Sequence, residues 1–335
     1  MKAIVYEGPK KVSVKNVDIP KTKDGEVLIK VSYAGICGTD LNIFAGTHPR
    51  AKAPLIPGHE FSGVVVSDGK KYKKGDRVAA YPLISCGHCE PCKTGNAHVC
   101  DHLGLLGIDC SGAMAEYISV DEEKLVELPD TISDEMGAFV EPVAVTVHAL
   151  RENSFKSGDN AIVFGCGTIG LATALTLRNF GAGKIILVET DESRAKIARE
   201  MHFKVINPIN ENMQDLSKDV TDGVGFDWVF DCAGVQAVAS ALFDSVKVKG
   251  HIVIIAAYKK PASLSLIMGM FKETCILFTR VYRYKDFAIA TDLVQKEKDY
   301  GKIITHKLPL EDGAKGFELL TTPMSGAVKV MYKIS

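Results

Sequence analysis

Four cysteines crowd into one short stretch, Cys86, Cys89, Cys92 and Cys100, with spacings of x2, x2 and x7. Thiols this close share a tetrahedral ion more readily than they bridge one another. A shell filled by four sulfurs leaves no valence for substrate, so the chemistry expected here is a structural zinc site. Gly87, Glu90-Pro91, Gly95 and Asn96 supply the turns of this loop, and His88 and His98 within it are expected to be exposed. A second set is dispersed: Cys37 in Gly-Ile-Cys-Gly-Thr-Asp, His59 and Glu60 in Pro-Gly-His-Glu-Phe, and Glu141 in Val-Glu-Pro-Val. One thiolate, one imidazole and one carboxylate around an ion leave a fourth position open, the arrangement of a catalytic zinc. Residue types alone fit equally a core cysteine, a satisfied histidine and two surface acids.

The third set is Gly165-Cys166-Gly167-Thr168-Ile169-Gly170, a dinucleotide fingerprint with an apolar run before it and a helical pattern after it. Gly165, Gly167, Ile169 and Gly170 are read as cofactor-binding, because glycines let the backbone approach a pyrophosphate whose charge meets the helix N-terminus. Glu189 ends the next strand, 19 residues past Gly170, where an acid accepts hydrogen bonds from both adenosine ribose hydroxyls. Its charge would repel a 2′-phosphate, which favours NAD over NADP. Arg194 reads either as a phosphate clamp or as a group that stacks on adenine or pairs with Asp191 or Glu192. Asp231-Cys232-Ala233-Gly234 and Ile255-Ala256-Ala257 place small residues where the nicotinamide half should lie, with Ala256 in the cofactor set. Cys166 and Cys232 read as packing residues.

The elements that must position these groups change character along the chain. At 335 residues there is room for roughly two domains. Up to about Glu127, short alternating segments such as Glu26 to Val31 and Phe61 to Val66 are separated by Gly, Pro and Asp turns, as in a small all-β unit. A helical pattern from Ser133 to Leu150 contains Pro142, which must sit at a kink or a helix start. From Asn160 apolar strands alternate strictly with helices, which implies right-handed crossovers and a parallel, doubly wound sheet. The tail from about Asp286 is assigned to the first domain, and Cys275 to Tyr284 reads as a strand able to pair edge to edge with a second copy.

Forty Lys and Arg against 41 Asp and Glu give a net charge of −1, which excludes a global field for nucleic acid. The run Lys70-Lys71-Tyr72-Lys73-Lys74 reads as a solvated turn. No apolar stretch reaches the ~18 residues a membrane helix requires. No secretory signal pattern is evident, so a cytoplasmic location is expected by default.

In order and spacing these residues resemble the zinc-containing medium-chain dehydrogenase/reductase superfamily over nearly the whole chain. The Cys-Gly-Thr-Asp and Gly-His-Glu segments, the four-cysteine lobe, the run Gly107 to Tyr117 and the glycine fingerprint all fall where that family has them. Glu141-Pro142-Val143-Ala144-Val145 and Val281-Tyr282-Arg283-Tyr284 resemble the polyol dehydrogenase branch, which includes the sorbitol and galactitol 1-phosphate enzymes. Threonine dehydrogenases resemble the N-terminal half.

The resemblance implies an α/β chain. A GroES-like catalytic zinc domain spans 1–145 and 285–335, with a structural zinc lobe at 84–102, and a Rossmann NAD-binding domain spans 146–284. It implies an NAD-dependent enzyme moving hydride from a secondary alcohol of a sorbitol-like polyol to give the ketose. A polyol phosphate is the alternative, suggested by Arg280, Arg283, Lys272 and Lys285; 2,3-butanediol or threonine is a further one, and an NAD-binding regulator the non-enzymatic one. By the same resemblance Cys37 and His59 ligate the catalytic zinc, and Glu60 and Glu141 share the carboxylate role without the sequence choosing between them. Thr39 relays the hydroxyl proton, Arg283 binds substrate hydroxyls, the backbone at Val281 holds the nicotinamide carboxamide, and the assembly is a homodimer or homotetramer. Asp40 would orient His59. One departure stands out: Asn42 occupies a place where related enzymes often carry a relay histidine, so the relay must end in ordered water or at His48.

Overall fold

Strand β3 (Glu26–Gly35) alternates in sequence, and accordingly buries Val27, Ile29 and Val31 on one face. It is the spine of a seven-stranded sheet in the computed structural model, which describes residues 1–211, 220–323 and 325–335. The sheet runs β16 (Ile304–Pro309), β17 (Lys329–Lys333), β3, β4 (Glu60–Val65), β5 (Arg77–Ala80), β9 (Leu125–Glu127), with β8 (Tyr117–Asp121) also paired to β3. The tail strand β17 lies antiparallel to β3, so residues from both ends of the chain share one core with Phe61, Ile118, Phe317 and Tyr332.

By contacts the chain divides into two compact units, Met1–Ala144 with Arg283–Ser335, and Val145–Tyr282. The first break falls within a helical stretch that Phe139 divides into α3 (Asp134–Ala138) and α4 (Val140–Glu152). Pro142 lies in the first turn of α4, where its missing N–H costs no helical hydrogen bond.

The second unit holds a six-stranded parallel sheet, ordered β12 (Lys204–Ile206), β11 (Ile185–Val188), β10 (Ala161–Phe164), β13 (Phe226–Asp231), β14 (Val246–Ile254), β15 (Cys275–Phe278). All four residues of β10 are buried, as expected of a central parallel strand covered on both faces. Its crossovers include α5 (Thr168–Asn179), α6 (Glu192–Glu200) and α7 (Gln236–Ser245). The segment read as one strand from Cys275 to Tyr284 is strand only as far as Phe278; Arg283 begins α9 (Tyr284–Lys296) as its N-cap. Trp228, on β13, stacks on His251 of β14 at 4.2 Å and donates its indole N–H to Asp159 at 2.8 Å.

The lysine-rich run is a turn with an anionic anchor. Glu122 is buried and accepts the backbone N–H groups of Lys70, Lys71 and Tyr72 at 3.0, 2.8 and 2.9 Å. The Tyr72 amide, followed by those of Lys71 and Lys70, holds its pKa below the ordinary glutamate value against the opposing effect of burial. A carboxyl with a depressed folded pKa stabilises the fold above its unfolded pKa and loses that contribution as pH falls through the folded value. Glu122→Gln is therefore expected to lower the melting temperature at pH 7. The gap to the parent should close on acidification below about pH 4.5; a pH-independent gap in thermal melts would show that the anchor is not ionic.

Candidate active site and coenzyme cradle

Helix α1 (Gly38–Phe44) starts at Cys37, whose N–H is held by Asp40 Oδ2 at 2.8 Å, so the first turn fixes the thiol at the end of β3. His59 immediately precedes β4, and Glu60 is its first residue. The register pairs Gly35 with Glu60, bringing the two strand ends together. The potential ligand atoms of Cys37, His59 and Glu60 consequently lie within 4.8 Å of one another. His59, Glu60 and Asp40 are buried. Glu141 is also buried and acts electrostatically on His59, but it is not part of that three-residue group.

Charge in this cluster is unbalanced toward the negative. Burial disfavours a charged His59, yet Asp40, then Cys37 and Glu141, outweigh it and raise its pKa well above the ordinary histidine value. Burial raises the Asp40 pKa, with His59 and the Cys37 amide opposing it. Asp40 Oδ1 stands 4.0 Å from His59 Nδ1, and neither atom has a hydrogen-bond partner among the described residues. Such a donor set suits a divalent cation, which would take the place of the proton. Sequence reasoning missed Lys329. This lysine is fully buried on β17, pairs with Glu60 and donates to the Ile36 carbonyl at 2.9 Å. No local signal marks it, because 269 residues separate it from Glu60.

The four lobe cysteines also gather, with sulfurs mutually within 4.8 Å. Cys89 Sγ and Cys100 Sγ are 3.7 Å apart, too far for a disulfide and close to the edge of about 3.8 Å that a tetrahedron with Zn–S bonds of about 2.3 Å requires. Amides of Cys86, Cys89 and His102 point at lobe sulfurs over 3.3–3.4 Å. The His88 and Cys89 amides pull the Cys86 thiol down to about 6, whereas burial pushes Cys92 up to about 12. His88 is exposed as expected, but His98 is buried, because the short helical turn Ala97–Val99 folds it inward. Asn96 reaches out of the lobe: its Oδ1 accepts from Arg283 Nη2 at 2.8 Å. Arg283 is therefore no loosely solvated strand charge.

In the second unit the glycine turn leaves β10 and enters α5. Gly165 adopts φ +96°, and a Cβ on Gly170 would stand 1.8 Å from the Gly165 carbonyl oxygen, so neither position admits a side chain. Among the described residues a Cβ on Gly167 would meet nothing within 4 Å, and Gly167 caps α5 without a side-chain acceptor. This is open space over a helix N-terminus, a cradle that fits a pyrophosphate. Ile169 lies in the first turn of α5. Glu189 follows β11 with its carboxylate fixed by the amides of Cys166, Thr190 and Asp191 at 2.7, 2.7 and 2.9 Å. The Arg194 amide caps α6 on Asp191 at 3.2 Å, and its charge acts on Asp191 and Cys166. Burial pushes the Cys232 thiol up to about 12 and raises Cys166 still further, as suits packing rather than reactive thiols. Val281 holds φ +47°, a left-handed conformation costly for a β-branched residue and typical of positions constrained by function.

A β-rich unit with a Cys-His-Glu cluster and a doubly wound unit with a glycine cradle together define a nicotinamide-linked dehydrogenase. Comparison with known proteins is consistent with this. Residues 23–130 match the alcohol dehydrogenase GroES-like domain, and residues 168–296 match the zinc-binding dehydrogenase domain. The chain is 35% identical over 332 residues to (R,R)-butanediol dehydrogenase of Bacillus subtilis, covering 93% of each chain. It is 32% identical over 343 residues to L-threonine 3-dehydrogenase of Bacillus velezensis, covering 98% of each, so the threonine likeness is not confined to the N-terminal half. The crystal structure of 2R,3R-butanediol dehydrogenase from Bacillus subtilis superposes with a TM-score of 0.92 at 33% identity, covering 100% of this chain and 99% of that one. The chain belongs to the zinc-dependent alcohol dehydrogenases of the medium-chain dehydrogenase superfamily, and it is an oxidoreductase.

Proposed function

We propose that this enzyme oxidises a secondary alcohol of a polyol to the ketose with NAD. The observation that carries the reading is the gathering of a half-buried Cys37 with the buried His59 and Glu60 in one electronegative cluster. These three residues would hold the catalytic zinc, with Glu141 as the reserve carboxylate; Cys86, Cys89, Cys92 and Cys100 would hold the structural one. When bound, zinc supplies Lewis acidity to an alcohol hydroxyl and the nicotinamide supplies the hydride acceptor.

The chain's own residues do the rest. Thr39, in the first turn of α1, relays the hydroxyl proton: its oxygen accepts that proton as its own passes on toward ordered water or His48. Asn42 cannot titrate, but its carbonyl accepts the Thr47 and His48 amides at 3.0 and 3.2 Å, so it shapes the turn that carries His48. The His48 ring accepts the Arg50 and Ala51 amides on Nδ1 at 3.3 and 3.2 Å, which leaves Nε2 as the atom for proton exchange with solvent. Arg283 binds substrate hydroxyls. Gly165, Gly167, Ile169 and Gly170 cradle the pyrophosphate, Glu189 binds the adenosine ribose, Arg194 lies on the adenine side, and Ala256 and Val281 flank the nicotinamide. Glu189 is held in place by three amides and would meet a 2′-phosphate as a fixed negative charge, which supports NAD over NADP.

A vicinal diol such as 2,3-butanediol is the second reading, favoured by the likeness to the Bacillus subtilis enzyme. A phosphorylated polyol is less well supported, because Lys272 spends its ammonium group on the carbonyls of Phe243 and Val246 at 2.6 and 2.7 Å. NADH formation at 340 nm across sorbitol, xylitol, 2,3-butanediol, threonine and galactitol 1-phosphate is expected to show the highest kcat/KM for an unphosphorylated polyol. A preference for butanediol or threonine would replace that substrate assignment, and silence across the panel with zinc and NAD bound would point to a regulator.

Assembly is proposed to use the free edge of β15. That strand ends the parallel sheet, Phe278 on it is 77% exposed, and nearby α8 (Leu266–Lys272) exposes Leu266, Ile267, Met270 and Phe271. A second copy pairing there would cover both the ladder and the apolar patch. Phe278→Glu is expected to shift the enzyme toward monomer in sedimentation velocity; an unchanged sedimentation coefficient would place the interface elsewhere.

A further inference from the structure

Asp231 is fully buried at the carboxyl end of β13, and it is a hydrogen-bonding hub. Its Oδ1 accepts the amides of Ala233 and Gly234, both at 2.9 Å. Its Oδ2 accepts the Tyr258 hydroxyl, and its backbone carbonyl accepts the amides of Ile255 and Ala256, both at 3.0 Å. One residue thus ties the loop that follows β13 to the loop that follows β14. The two loops are packed without slack: a Cβ on Gly234 would stand 3.0 Å from Ala256 Cβ, and one on Gly165 would stand 3.3 Å from Ala233 Cβ. Three successive strand ends therefore interlock along the carboxyl edge of the sheet, the edge where doubly wound folds bind their ligands.

Within this hub the backbone contacts come with the fold, but the Tyr258 hydroxyl is a side-chain device. Burial, followed by the hydrogen bond and charge of Asp231, raises the phenol's pKa, so it remains a donor at any working pH. We infer that Asp231 and Tyr258 form a positioning pair that holds the 255–258 loop in register for the nicotinamide half of the coenzyme. This rests on the coenzyme assignment made above. Neither residue is a catalytic one; the pair acts through the backbone around Ala256. Without the hydroxyl, one oxygen of a buried carboxylate loses its donor, and the loop keeps only its main-chain tethers.

The test compares two ligands that share the adenosine and pyrophosphate but differ in the nicotinamide. In the full-length, zinc-loaded enzyme, Tyr258→Phe is expected to weaken NADH binding roughly tenfold in calorimetric titration, the scale of one lost hydrogen bond to a charged group. ADP-ribose affinity should stay within about twofold of the parent. Equal losses for both ligands, or no loss for either, would overturn the positioning role, because a general loosening of the fold does not discriminate between them. If the parent enzyme bound neither ligand, the coenzyme assignment itself would fail. A matching rise in KM for NAD with little change in kcat for a saturated enzyme is the expected kinetic counterpart.

Discussion

Replacing Cys37 with alanine is expected to lower kcat/KM for every alcohol substrate by roughly a thousandfold or more. The cluster loses a thiolate that no neighbour can supply, and the Lewis acidity proposed for this site is worth several kcal/mol of transition-state stabilisation, each 1.36 kcal/mol being about tenfold in rate. His59→Ala should behave alike. In both variants elemental analysis should find the lobe zinc retained and the second zinc lost, because Cys86, Cys89, Cys92 and Cys100 form a separate, closed set. Retention of parental turnover by either variant, or by enzyme treated with a chelator until its second metal is gone, would refute the assignment of the site.

Lys329→Met is expected to produce the largest loss of stability. Lys329 and Glu60 have side chains only 2% and 3% exposed, and their ion pair is supported by the Ile36 carbonyl. Taking one partner from a buried pair leaves the other charged and desolvated, which costs about 3–5 kcal/mol. In a unit of this size that corresponds to a fall in melting temperature on the order of 10 °C. Adding Glu60→Gln to Lys329→Met should recover part of the stability while leaving activity low, since the carboxylate is then absent from the cluster. A single Lys329→Met variant that melts with the parent would show that Glu60 finds another counter-charge.

Both predictions concern the same few residues, which were unequally readable from the sequence. The lobe cysteines and the glycine turn declare themselves because their chemistry is local: ligands 3 or 8 residues apart, or glycines packed into one βα turn, leave a pattern in the chain itself. The alternation of β3 and the continuous apolar run of β10 likewise distinguish a half-exposed antiparallel strand from a covered parallel one. Cys37, His59 and Glu60 could be named from the resemblance, but their meeting depends on the register of β3 with β4, which no spacing encodes. Lys329 was invisible for the same reason, and so was the bond from Arg283 to Asn96 across 187 residues. For His98 polarity predicts exposure, whereas the turn around it decides burial.

Trp228 is the chain's single tryptophan, and it lies wedged against His251 in the parallel-sheet unit. The molecule therefore carries one built-in optical probe whose emission reports on that half alone. Fluorescence melting curves will follow the parallel-sheet half, while circular dichroism averages both, so a mismatch between the two would resolve independent unfolding of the halves without any label.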